Sequence, residues 1–156
     1  MGSVQFGIPR ELTLVLKKRH GLDYFFETGT LVGHTAQWAS EHFKEVVTVD
    51  INQNLKSAGN IFACSGDSAE YLKGYRFLQP HLFWLDAHTN DVCRVLEEIQ
   101  AINDSGLRHV ILVDDARLFG TLPAWPSKQK VMDLLDKGGT RIVYEFEDVL
   151  VAEPCP

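Results

Sequence analysis

Six acidic residues stand where short apolar runs give out: Glu27 in YFFET, Asp50 after EVVTV, Asp67 after Ser65-Gly66, Asp86 after HLFWL, and the pair Asp114-Asp115 after HVILV. Apolar runs this short and unbroken suit parallel strands covered on both faces. In open α/β sheets, ligands bind beyond the carboxyl ends of such strands. Carboxylates placed there can accept from hydroxyls or ammonium groups, take up protons, or hold a hard cation. His88 follows Asp86 by two residues, Arg117 follows the Asp114-Asp115 pair, and Trp125 lies between Pro123 and Pro126. Each is a candidate for the same end of the sheet. Arg117 reads equally as an ion-pair partner or an acceptor contact, and Trp125 as a loop anchor or a substrate platform.

The stretch Tyr24–Asp50 carries the most specific pattern: strand, Gly29 and Gly33 in a turn, a helical pattern from His34 to Phe43, then a second strand ending at Asp50. A dinucleotide site would show G-x-G-x-x-G so that a pyrophosphate can meet bare backbone at the helix N-terminus. Here Leu31 stands at the middle glycine and Glu27 precedes the turn. A carboxylate repels a pyrophosphate and suits a cationic ligand. S-adenosylmethionine, which carries an ammonium and a sulfonium and no phosphate, fits better than NAD. Asp50 is placed to accept from ribose hydroxyls in either case.

The elements that must position these groups follow in order. A helix runs from Pro9 to His20 and is stopped by Gly21. Only ten residues, Ile51–Asn60, join the second strand to the third at Ile61, leaving room for one or two helical turns around Asn52–Ala58. Asp67 or Ser68 caps a short helix through Leu72. A helix over Asp91–Asp104 turns Val92, Val95, Leu96, Ile99 and Ile102 inward, and a last helix covers Ser127–Lys137. Two strands, Arg141–Phe146 and Val149–Ala152, meet at a tight turn over Glu147-Asp148. The expectation is an α/β fold, a three-layer Rossmann-like sandwich whose seven-stranded, mostly parallel sheet ends in a C-terminal antiparallel hairpin. One domain is expected over 1–156, with residues 1–20 an N-terminal helical region that helps cover the ligand pocket and 21–156 the core.

At 156 residues with a net charge of −6 and no basic run longer than Lys17-Lys18-Arg19, nucleic acid is not an expected partner. Three cysteines, Cys64, Cys93 and Cys155, without CxxC spacing point to a reducing compartment. With no signal peptide and no membrane-spanning apolar run, the expected location is cytoplasmic, with no membrane partner.

The strand–helix order with a terminal hairpin, Glu27-Thr28-Gly29-Thr30-x-x-Gly33, Asp50, Gly66-Asp67-Ser68 and Asp86 together resemble the class I S-adenosylmethionine-dependent methyltransferases over roughly Gly21–Glu153. The resemblance implies a transferase that binds S-adenosylmethionine through Glu27, Thr28, Gly29, Thr30 and Gly33 at its amino-acid end. It assigns the ribose to Asp50 with Ile51 beside it, the adenine to Asp67 and Ser68, and the reaction end to Asp86. More narrowly, Asp86 with Asp114-Asp115 is similar to the macrocin-type sugar O-methyltransferases. That similarity implies Mg²⁺ held by Asp86, Asp114 and Asp115, and Asp86 or His88 as the base. Three carboxylates so close would repel unless a cation lay between them. The expected activity is O-methylation of a sugar-like or other hydroxyl acceptor, with Arg117 and Trp125 as acceptor contacts. With only Ala87–Asn90 expected between Asp86 and the next helix, the acceptor site should be open. The expected partner is a small-molecule or glycan acceptor; an open site leaves three readings, a large acceptor such as a glycan or a protein, a neighbouring subunit of a homo-oligomer that completes the pocket, or cofactor binding without efficient methyl transfer. A non-catalytic S-adenosylmethionine-binding module and an NAD-dependent oxidoreductase are the alternatives.

Overall fold

The structure, a computed structural model, describes residues 7–156; the start at Met1–Phe6 lies outside the described residues. The elements are α1 (Arg10–His20), β1 (Tyr24–Thr28), α2 (His34–Ser40), β2 (Glu45–Asp50), β3 (Ile61–Ser65), α3 (Ser68–Gly74), β4 (His81–Leu85), α4 (Val95–Asp104), β5 (Val110–Val113), a 3-10 turn over Ala116–Leu118, α5 (Lys128–Asp136), β6 (Arg141–Phe146) and β7 (Val149–Pro154). They build one seven-stranded sheet in the order β3-β2-β1-β4-β5-β7-β6. β1 to β5 are mutually parallel, and β7 runs antiparallel to both β5 and β6.

Alternation along each strand divides the core between the two faces of the sheet. Phe25, Trp84 and Leu112 face α1 and α2, where Leu16, Ala36 and Ala39 are buried. Phe26, Phe83 and Ile111 face α3, α4 and α5, where Leu72, Ile99, Ile102 and Leu135 close the second layer. The expected three-layer α/β sandwich with its antiparallel hairpin is what the chain forms. α1 lies on a sheet face: Arg10 stacks over Trp38 of α2, and Arg19 pairs with Glu153 of β7 at 2.8 Å. None of its residues lines the cavity described below.

α2 ends at Ser40, short of the expected Phe43, and two further differences from the sequence reading bear on the cavity. No helix forms between β2 and β3. Gln53 does the work of one: its Nε2 donates to Thr30 Oγ1 at 2.8 Å and to the carbonyls of Thr48 and Cys64 at 3.3 Å, pinning the crossover to the strand ends. α4 begins at Val95, four residues later than the periodicity suggests, because Thr89 and Val92 exchange backbone hydrogen bonds in a turn of their own. Val92, expected to point inward, is 53% exposed. The loop from Asp86 to α4 therefore runs through Arg94.

At the opposite end of the sheet from these loops, His81 and His109 are buried in an aromatic cluster with Phe77 and Phe83. His109 Nδ1 accepts from the His81 backbone N–H at 2.9 Å, which requires a neutral ring. Burial pushes His81 down to about 4 and His109 down to about 3. Folded-state values below the unfolded one mean that this stabilisation is complete above about pH 6.5 and is lost as pH falls toward 4. A His109→Gln variant should therefore show a shallower decline of its thermal midpoint between pH 6.5 and 4 than the wild type. Parallel declines would show that His109 does not titrate in that window.

Candidate active site

The strand order places β1 and β4 side by side while their crossovers leave in opposite directions, and this is the switch point at which doubly wound sheets bind ligands. A cavity of about 490 Å³ opens there, within the usual range for small-molecule sites. Gly29, Asp50, Ile51, Asp67, Ser68 and Asp86 of the expected cofactor set line it, as does His88. Leu31, Asn52, Gly66, Ala87, Thr89, Val92 and Arg94 complete the wall, with Val49 below.

Gly29, at φ +86°, is where the β1–α2 turn meets the end of β4: a Cβ on it would sit 2.3 Å from the Asp86 carbonyl oxygen. Leu31, the residue in place of the middle glycine, takes φ +50° and donates its N–H to Asp50 Oδ2 at 3.1 Å. Asp50 Oδ1 accepts from Asn52 N–H at 2.8 Å. The Asp50 carboxylate is thus held rigidly at the cavity wall. The left-handed conformation costs Leu31 about 1 kcal/mol, and the hydrogen bond to Asp50 offsets part of that.

Glu27, Thr28, Thr30 and Gly33 stand off the cavity wall. Glu27 is buried and ends a directional chain: Gln53 Nε2 donates to Thr30 Oγ1, Thr30 to Thr48 Oγ1 at 2.7 Å, and Thr48 to Glu27 Oε2 at 2.6 Å. Each hydroxyl has one proton, and Thr48 gives its own to Glu27 Oε2, so Thr30 must be the donor to Thr48; a neutral carboxyl still offers that oxygen as an acceptor. Glu27 shapes the turn from behind. Burial pushes it up to about 8 against the hydrogen bonds of Thr48 and Thr35. Stability from the protonated form is full below about pH 4.5 and is lost as pH rises through 8. Glu27→Gln should have nearly the wild-type thermal midpoint at pH 5 and exceed it at pH 9. A deficit at both pH values would mean that the ionised form is the native one.

On the opposite face of β1, Thr28 approaches Glu98, a residue of α4 that the sequence reading passed over. Glu98 is buried, accepts from Ser68 Oγ at 2.5 Å, and is raised by its burial. Its signal lay in the helix pattern, where Glu98 occupies the inward stripe between Val95, Ile99 and Ile102. Asp67 caps α3, accepting from Glu70 N–H at 3.0 Å, and pairs with Arg94 at 2.7 Å. Partial burial works to raise Asp67, but the Glu70 amide and Arg94 outweigh it and hold the carboxyl below its usual range.

At the reaction end, Asp86, His88 and Asp115 converge. His88 Nε2 lies 3.9 Å from Asp86 Oδ1 and 3.6 Å from Asp115 Oδ2. Burial pushes Asp86 up to about 8, with Asp114, Asp115, Glu27 and Glu98 adding repulsion. Asp114 Oδ1 accepts the Asp115 backbone N–H at 2.8 Å. It groups with Asp115 and with Asp148 from the β6–β7 turn, another residue missed from sequence because only the hairpin brings it close. Arg117 bridges Asp115, at 2.8 Å, and Asp148. Trp125 packs against the His88 ring at 4.6 Å and donates Nε1–H to the Thr89 carbonyl at 2.8 Å, anchoring the loop after β4. Both residues expected as acceptor contacts are thus engaged by the protein itself.

Solved structures share this fold. A Podospora anserina methyltransferase, PaMTH1, bound to S-adenosylhomocysteine superposes with a TM-score of 0.65 at 16% identity, over 93% of this chain and 77% of that one. A SAM-dependent methyltransferase from Archaeoglobus fulgidus gives 0.59 at 18% identity, over 86% and 71%. The precorrin 8W decarboxylase of Methanobacterium thermoautotrophicum gives 0.59 at 15% identity, over 94% and 90%. No protein-family model and no curated protein matches the sequence. The chain has the class I S-adenosylmethionine-dependent methyltransferase fold. Among the described residues, no helix is long and apolar enough to cross a membrane.

Proposed function

We propose that the protein is an S-adenosylmethionine-dependent methyltransferase acting on a hydroxyl of a sugar-like or other polar acceptor. One observation carries the reading: one cavity joins Asp50 and Ile51 to Asp86 and His88, and the only guanidinium among its described lining residues, Arg94, is already neutralised by Asp67 and Glu70. A pyrophosphate there would face the carboxylates of Asp50 and Asp67 with no free cation among the described lining residues to meet it, which disfavours a dinucleotide. A nucleoside carrying positive charge meets the complementary field.

When bound, S-adenosylmethionine supplies the methyl group as a sulfonium substituent. Asp50, fixed by Leu31 and Asn52, accepts from the ribose. Ile51 offers an apolar side chain to the base, and Ser68 lies on the adenine side. The Gly29 turn admits the amino-acid end, backed by Thr28, Thr30, Gly33 and the buried Glu27. Asp86 sits at the reaction end and takes the proton of the acceptor hydroxyl. The neighbouring structures carry different reactions on this fold, so the acceptor class rests on these carboxylates alone. Mg²⁺ on Asp86, Asp114 and Asp115 would lower the hydroxyl's pKa, and His88 stands beside Asp86 and Asp115 as a further candidate ligand.

Calorimetric titration with S-adenosylmethionine, S-adenosylhomocysteine and NAD tests the cofactor. The first two should bind in the micromolar range and NAD should not. Asp50→Ala should weaken S-adenosylhomocysteine at least about tenfold, about 1.4 kcal/mol, with an unchanged circular dichroism spectrum. Unaltered affinity would remove Asp50 from the ribose site.

A further inference from the structure

We propose that His88 is a metal ligand, and that Asp86 Oδ1, His88 Nε2 and Asp115 Oδ2 together hold one divalent first-row transition-metal ion at the reaction end of the cavity. The proposal deepens the methyltransferase reading and rests on it for the ion's purpose, though not for its geometry.

The first observation is the imidazole. The His88 side chain is 1% exposed, and neither Nδ1 nor Nε2 has a hydrogen-bond partner among the described residues. Buried ring nitrogens are nearly always paired, because an unpaired one forfeits its hydration without return. The second is spacing. The contacts of 3.6 and 3.9 Å from Nε2 to the two carboxylate oxygens are too long for hydrogen bonds. Ligand atoms each about 2.1 Å from a shared ion lie about 3.0 Å apart in cis-octahedral and about 3.4 Å apart in tetrahedral geometry. Nε2 lies only a few tenths of an ångström beyond the tetrahedral separation from each oxygen, and the three ligand atoms all lie within 4.8 Å of one another.

The third observation is a contrast within the same site. Two groups of acidic residues converge here: Asp86 with Asp115 and His88, and Asp114 with Asp115 and Asp148. The second already has its cation, since Arg117 reaches both Asp115 and Asp148. Arg117 engages Asp115 Oδ1, which leaves Oδ2 directed at His88. That is the outer-sphere anchoring expected of a metal-binding carboxylate. Trp125 fixes the imidazole from its other side and ties down the loop that carries it.

The donor set names the class of ion. Mg²⁺ prefers an all-oxygen shell with several waters. One imidazole with two carboxylates suits Mn²⁺, Fe²⁺, Co²⁺ or Zn²⁺. An ion on these atoms would leave the second oxygen of Asp86 available for the acceptor's proton.

The test uses Mn²⁺ as the probe. Chelator-stripped protein titrated with Mn²⁺ and followed by electron paramagnetic resonance should bind one ion per chain. Its electron spin echo should carry a ¹⁴N modulation from a directly bonded imidazole. His88→Gln should lose that modulation and weaken Mn²⁺ at least about tenfold, and calorimetry on the wild type should show Mg²⁺ bound more weakly than Mn²⁺. Mn²⁺ bound without nitrogen coupling would overturn the proposal and return the ion to carboxylates alone, and absence of binding would overturn it outright. The wild-type spectrum decides the matter even if the variant misfolds. Titrating the stripped protein with S-adenosylhomocysteine reports separately on the cofactor reading: binding of that nucleoside without nitrogen-coupled Mn²⁺ sinks the metal ligand and leaves the methyltransferase standing.

Discussion

Any side chain at position 29 would drive its Cβ into the Asp86 carbonyl, 2.3 Å away. That close approach between the first turn and the end of β4 is what the site depends on. It sets the turn that positions Leu31 N–H against Asp50, and it brings Asp86 to the same cavity. The hydrogen-bond chain from Gln53 to Glu27 supports the turn from the α2 side, and Ser68 with Glu98 supports it from the α4 side. Each chain ends on a buried carboxyl whose burial favours the protonated form. The walls are therefore made of polar groups that satisfy one another, and the charge that remains is concentrated where the cavity opens.

The concentration of charge has a logic of its own. Asp50 and Asp67 line one space, with the burial-raised Asp86 beside them, and the guanidiniums of Arg94 and Arg117 are spent on carboxylates at its edge. The site has been furnished with anions and then deprived of free cations. A ligand entering it gains by being positive or by bringing a cation along. This is the electrostatic opposite of a phosphate-binding Gly-rich turn on the same sheet topology, which explains how one architecture serves both ligand classes.

Much of the fold was legible in the sequence because each buried strand is an unbroken apolar run ending in a carboxylate or a turn residue. Asp50 and Asp86 could be placed at a ligand site from that pattern alone. The missing helix after Asp50 was not legible, since a glutamine side chain replaces it and nothing in INQNLKSAGN announces long-range hydrogen bonds to Thr30 and Cys64. The late start of α4 was hidden because Val92 fits the helical stripe while its backbone is committed to Thr89. His88 looks like a loop residue until Trp125, thirty-seven positions later, is seen to bury it. Asp148 reaches the site only through an antiparallel strand that local periodicity cannot position.

That hairpin also decides when the site can exist. The Asp148 carbonyl accepts from Ala116 N–H and its carboxylate from Arg117 N–H, each across more than thirty residues. During synthesis the cofactor wall, from β1 to the end of β4, leaves the ribosome well before the hairpin does, and folding from the N-terminal side can begin there. Asp115, by contrast, is clamped only when β7 slips between β5 and β6. Completion of the reaction end is thus a late assembly event. An incompletely translated chain would carry a nucleoside-binding wall without the means to act on what it binds.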